Sequence, residues 1–325
     1  MTKYKIAILT SGGDAPGMNK AIATIVNYAR NFNIESYVVI NGFIGLCEND
    51  IRLANLKKIN KSINQAGSLI LCSRFKEFDQ PKNFQKAINN LKSRAINCLI
   101  VLGGNGSYMG AKLLAQNGVN VICLPCTIDN DINYTEYSIG FDSAINIISK
   151  NIDLLRTTAK SDRKIYLIEL MGRKCSTLTT TTALANNIDY VITPQNKLDK
   201  NELAKIIKKK RELYHQEILV LITENLYSYN ELHEMTTFIE KTTGINTKLH
   251  IMGFIQRGAT PTGIEKYNAA RMGMFAIECI NNKNFNVAIG IDGKKMLATN
   301  LLTNEFSHYD NKQEINKVLD FINKD

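Results

Sequence analysis

The sequence predicts an α/β fold built from two doubly wound domains with mainly parallel sheets, and three observations carry that expectation. Short apolar runs rich in β-branched residues alternate with amphipathic segments of roughly ten to eighteen residues, the sequence form of parallel βα units. Glycine-rich turns separate several of these runs from the helical segments that follow. The length, 325 residues, suits about two domains, yet no low-complexity linker divides the chain, so the domains are expected to exchange segments.

Taken in order, the apolar run at 5–9 opens as a strand, and 18–30 follows as a helix with one apolar stripe. Strands are expected at 37–40 and 98–102, with a helix at 84–94 between them. Helix 107–116 leads to strand 119–124, and the long amphipathic stretch 142–159 leads to strand 165–170. Helix 202–215, strand 217–223, helix 230–243, strand 249–254, helix 263–281, strand 287–290 and helix 312–323 complete the alternation.

Composition narrows the function classes. With 44% hydrophobic and 22% charged residues the chain has the makeup of a folded protein. No stretch reaches the roughly 18 uninterrupted apolar residues of a membrane helix, and the start, MTKYKIAILTSGG, lacks a cleavage site and reads as a first strand. Seven cysteines without a secretion signal argue against a disulfide framework, so a cytoplasmic protein with no membrane contact is expected. Cys123 and Cys126 form the one close pair; without a second pair they read as small apolar thiols at a strand end. The net charge is +10, but no recognition motif accompanies it, and the basic run 208–211 reads as a solvated helix face. No nucleic-acid partner is expected.

Ligands of such sheets bind beyond the carboxyl ends of the strands. After the first strand stands TSGGDAPGMN (10–19), and after the third GGNGS (103–107), two glycine-rich turns whose free N–H groups suit a phosphate. Neither is a Walker A loop, and the spacing of Gly104, Gly106 and Gly110 misses the dinucleotide fingerprint by one residue. After the fourth strand, Asp129 and Asp131 present two carboxylates suited to a general base and a metal-facing ligand, or to an Asx-turn cluster. Arg173 and Arg257, two of only ten arginines, fall at later strand ends, where a planar guanidinium suits phosphate.

TSGGDAPGMN, SRF, GGNGSYMGA, TIDND, IGFDSA, MGR and IQRG occur in this order from residue 10 to residue 258, and together they resemble the bacterial 6-phosphofructokinase family. The resemblance implies a phosphofructokinase-like fold and transfer of a phosphoryl group from ATP, with Mg2+ as cofactor, to the 1-hydroxyl of fructose 6-phosphate in glycolysis. It also implies a homotetramer. Residues 1–140 with about 253–305 would form a larger nucleotide-binding domain, and 141–252 with about 306–325 a smaller sugar-phosphate domain. By the same resemblance Asp129 is the general base, with Thr127 beside it, while the Gly13 backbone, Arg74 and Arg173 bear the charge of the transferring group. Met171, Gly172, Glu224 and Arg257 match sugar-phosphate positions, and Phe75, Gly104, Gly106 and Ser107 the nucleotide side, which Gly13 and Arg74 also face. Asn105 and Asp131 stand at the metal positions.

Several ligand positions depart from the family pattern. Asn105 replaces an aspartate, Phe254 replaces a histidine that donates at the sugar-phosphate site, and Lys164 and Lys248 replace arginines that reach the sugar phosphate from a neighbouring subunit. Cys126 stands before TIDND where ATP users usually carry glycine and pyrophosphate users lysine, while Gly106 is of the ATP type. Two arginines of the effector site are Ala23 and Asn27, a third is kept as Arg156, and the Gly-Asp that usually follows MGR is absent. Two functions remain open on these residues: a working ATP-dependent kinase, or a weakened or inactive relative that binds nucleotide or sugar phosphate in a regulatory role.

Overall fold

The computed structural model describes residues 3–214 and 216–324; the last residue of the helix expected at 202–215 lies outside them. The fold is the mostly parallel α/β arrangement expected. Strands β1 (Tyr4–Thr10), β2 (Ile34–Val39), β3 (Ile51–Leu53), β4 (Cys98–Gly103), β5 (Val121–Thr127) and the two-residue β6 (Ile139–Gly140) come first in the chain. Then follow β7 (Ile165–Leu170), β8 (Tyr190–Ile192), β9 (Ile218–Thr223) and β10 (Thr247–Ile251), and last β11 (Val287–Asp292) and β12 (Lys295–Asn300). The larger sheet has the order β12-β11-β5-β4-β1-β2-β3, with β6 paired to β5, and the smaller the order β10-β7-β9-β8.

The chain divides into two compact units. The larger holds residues up to Ala144 together with Arg257–His308, the smaller Ile145–Gln256 and the residues from Tyr309 onward. Parallel strands covered by helices on both faces are buried at every position, as β4 and β9 show. Helix Met18–Ala29 lies against helix Gly263–Asn281, and Gly273 lets the two backbones close: a Cβ there would stand 3.1 Å from the Ala21 carbonyl oxygen. Among the named strands, antiparallel pairing is confined to the edges, β2 with β3 and β11 with β12.

The structure adds to the expected elements and corrects some. Strands β3, β6, β8 and β12 and helices Gly42–Cys47, Leu56–Lys61 and Thr177–Ala185 were not expected. In the last of these helices β-branched threonines override their weak helix propensity by burial, and Thr180 Oγ1 donates to the Ser176 carbonyl. The strand expected at 249–254 starts earlier and stops at Ile251, so Phe254 lies in a 3-10 turn and is 81% exposed. In the basic run, Lys208 and Lys209 are solvated as expected, but Lys210 is buried with its ammonium on the Lys324 carbonyl.

Candidate active site

In the larger unit β5, β4 and β1 are neighbours, so the loops at their carboxyl ends come out side by side. The Ser11 amide donates to Leu102 O and the Gly12 amide to Ser73 O, which ties the first glycine loop to β4 and to the segment carrying Arg74 and Phe75. A Cβ on Gly13 would fall 1.7 Å from Arg257 Nη1, so glycine is required for the guanidinium to lie on the loop. Arg257 is buried, its nearest carboxylate oxygen is Asp14 Oδ1 at 3.9 Å, and its Nε has no hydrogen-bond partner. A buried cation with an open donor above a glycine backbone is a receptor for an anionic oxygen.

Gly104 leads helix Asn105–Gln116, whose first turn carries Asn105, the exposed Gly106 and the buried Ser107. Beside it lies the turn after β5. The Asp129 amide donates to Thr127 Oγ1, and Asn130, at φ 48°, accepts from the Ser138 amide and hydroxyl, which pins the turn. Asp129 and Asp131 are both buried. Asn105 Nδ2 donates to the Asp131 carbonyl at 3.2 Å and to Asp131 Oδ2 at 3.3 Å, and His308 Nδ1 contacts the same carboxylate oxygen. Those two acceptors orient the amide, so Asn105 Oδ1 points elsewhere, buried and without a hydrogen-bond partner.

In the smaller unit the turn after β7 is held by one carboxylate. Glu224 Oε1 accepts from the Gly172 amide at 3.2 Å and the Arg173 amide at 2.8 Å, while the Met171 amide donates to Gln256 Oε1. Gly172 has φ 145°, and a Cβ there would meet the Cys175 carbonyl oxygen at 2.5 Å. Arg173 takes the left-handed φ of 55° and remains exposed, its side chain presented at the strand end. Burial first, and the Glu224 charge second, push the Glu169 carboxyl above its ordinary range. Lys164 precedes β7 and Lys248 pairs with Tyr166 near the start of β10, so both lie at the amino end of this sheet. Strand rise puts them roughly 15–23 Å from Met171.

A phosphofructokinase family model matches residues 5–280. The chain belongs to the phosphofructokinase family. Among the most similar relatives of this family member, the ATP-dependent 6-phosphofructokinase of Photobacterium profundum is 40% identical over 90% of this chain and 91% of its own length. That of Mycoplasma mobile is likewise 40% identical, over 91% and 90%. The phosphofructokinase of Pichia pastoris, solved in its T-state, superposes with a TM-score of 0.86 at 26% identity over 93% of this chain, which spans 35% of that longer chain.

Of the residues that the resemblance singles out, the larger unit holds Gly13, Arg74, Thr127, Asp129, Asp131 and Arg257, and the smaller holds Arg173. In the larger unit the structure brings Gly13 to Arg257 and Asn105 to Asp131. In the smaller it joins Met171, Gly172, Arg173 and Glu224, and leaves Lys164 and Lys248 at the far end of the sheet. Cys126 is buried, its thiol pushed well above its ordinary range by burial. Sequence reasoning missed two residues. Gln256, fully buried, braces the Met171 turn, and its only signal was its place beside Arg257 in IQRG. His308 had none: 177 positions separate it from Asp131.

Proposed function

We propose that this chain is an ATP-dependent 6-phosphofructokinase that transfers the terminal phosphoryl group of ATP to the 1-hydroxyl of fructose 6-phosphate, yielding ADP and fructose 1,6-bisphosphate. Family membership selects the reaction. The single observation that carries it to this chain is the buried Arg257 guanidinium, closed over Gly13 with its Nε unsatisfied, in the unit that also holds Asp129. In this reading the Asp129 carboxylate takes the proton of the attacking hydroxyl, and the sugar oxygen bonds to phosphorus as the bond to the departing ADP oxygen breaks. The Gly13 amide, Arg74 and Arg173 bear the charge on the transferring group. The larger unit takes the nucleotide and the smaller the sugar phosphate, through Arg173 and the Glu224-held turn.

Asn105 Oδ1 is a hard, buried oxygen with no partner, which fits Mg2+, so Asn105 and Asp131 are the residues that would hold it. When bound, it neutralises phosphate charge. The placement of Lys164 and Lys248 at the amino end of the small sheet supports a homotetramer, in which they serve the sugar-phosphate site of a neighbouring copy. Seven free cysteines, and no helix among the described residues long and apolar enough to cross a membrane, support a cytoplasmic setting. The test is bisphosphate formation by the purified protein with fructose 6-phosphate or tagatose 6-phosphate and with ATP or pyrophosphate, each with magnesium. Turnover with ATP and fructose 6-phosphate is expected to exceed every other pairing. Nucleotide binding without turnover in any pairing would instead establish the regulatory reading.

A further inference from the structure

The segment that ends the larger unit is strapped across the turn carrying Asp131. Lys112 Nζ donates to Asn304 O and Asn133 Nδ2 to Glu305 O, each at 3.0 Å. Phe306 stands edge-on to Tyr108 and Tyr134, with ring centroids 5.2 and 5.4 Å away. His308 then pairs with Ile132 in an antiparallel bridge. Four separate ties thus deliver the His308 ring to a carboxylate that is only 3% exposed. A carboxylate only accepts, so His308 Nδ1 and Asn105 Nδ2 both donate to Asp131 Oδ2.

An aspartate at position 105 would set two buried carboxylates against each other, an arrangement that calls for a cation between them. The amide and the imidazole supply N–H donors in that place instead. We propose that His308 is a positioning residue which, with Asn105, takes the place of a cation against Asp131 Oδ2 while no nucleotide is bound. The protein alone then holds no divalent ion at this site, and the ion enters on the nucleotide. Asp131 lies two residues after Asp129 in a turn also pinned through Asn130, so the clamp sets the direction of the base. The inference rests on the kinase reading for the role of Asp129, but its metal half stands apart from it.

Two measurements test it. Mn2+ is titrated into the protein without nucleotide and the free ion followed by electron paramagnetic resonance. The wild type is expected to bind none up to millimolar Mn2+, and the double variant Asn105→Asp, His308→Ala to bind one ion per chain. A bound ion in the wild type that disappears in Asp131→Asn overturns the proposal, as does the absence of binding in the double variant. In the kinetic arm His308→Ala is expected to lower kcat about tenfold or more while KM for fructose 6-phosphate and the melting temperature hold. His308→Asn, whose amide reaches the place of Nδ1, should restore most of the loss; equal losses in the two variants overturn the positioning role. A wild type with no kinase activity defeats the functional reading and leaves the Mn2+ arm to decide the clamp.

Discussion

At the scale of single residues, the candidate site is marked by groups left with something still to bind. Arg257 is buried with an open Nε above Gly13, and lysine in its place would keep the charge but lose the planar fork. Arg257→Lys is therefore expected to raise KM for fructose 6-phosphate or ATP about tenfold, the loss of one charge-assisted hydrogen bond, with the melting temperature little changed. Initial-rate kinetics with each substrate varied in turn would show it, and unchanged constants would remove Arg257 from the binding surface. Gly172 makes the complementary point, because its φ of 145° and the Cys175 carbonyl leave no room for a side chain. Gly172→Ala should cost about 1–3 kcal/mol of stability and should move Arg173, so denaturant midpoint and kcat ought to fall together.

At the scale of elements, the loops after β1, β4, β5 and β7 are legible because each carries its candidate residues within a few positions of a recognisable strand. What the chain hid is what distant segments supply. His308 meets Asp131 across 177 positions, and Gln256 meets Met171 across 85. The short strands β3 and β8 and the hairpin strand β12 escaped because three residues give no periodicity to read, or because pairing decides the strand more than apolar alternation does. The threonine-rich helix Thr177–Ala185 escaped because packing overrode propensity there. Element packing also bears on regulation. On helix Met18–Ala29, Asn27 turns its amide to Ala23 O and Asn60 Oδ1, and on helix Phe141–Asp162, Arg156 donates from Nη2 to the Asn186 and Asn187 carbonyls. These groups are engaged within their own units, so added ADP is expected to leave the fructose 6-phosphate saturation curve where it is. A strong leftward shift would show that they release to bind a diphosphate.

At the scale of the whole molecule, one buried carboxyl couples the packing of the larger unit to pH. Glu265 accepts from the Tyr137 hydroxyl and from the Ser143 amide and hydroxyl, yet burial pushes it up to about 7 from 4.5. Between those values the folded chain holds a proton that the unfolded chain has released. This group's contribution is therefore complete below pH about 4.5, declines as pH rises, and is lost above about 7, by roughly 3 kcal/mol in all. Urea unfolding of the wild type and Glu265→Gln at pH 5 and pH 8 should show that decline in the difference between the two proteins; parallel pH dependences would refute it. Phosphoryl transfer with Asp129 as the base unites the two units' candidate residues in one reaction. Its most direct measurement follows label from the terminal phosphate of ATP into fructose 1,6-bisphosphate for the wild type and Asp129→Asn, with ATP binding measured on both. The variant is expected to bind ATP as the wild type does while transfer falls by about 10²–10⁴. Transfer at the wild-type rate in Asp129→Asn, or no transfer by the wild type, would contradict it.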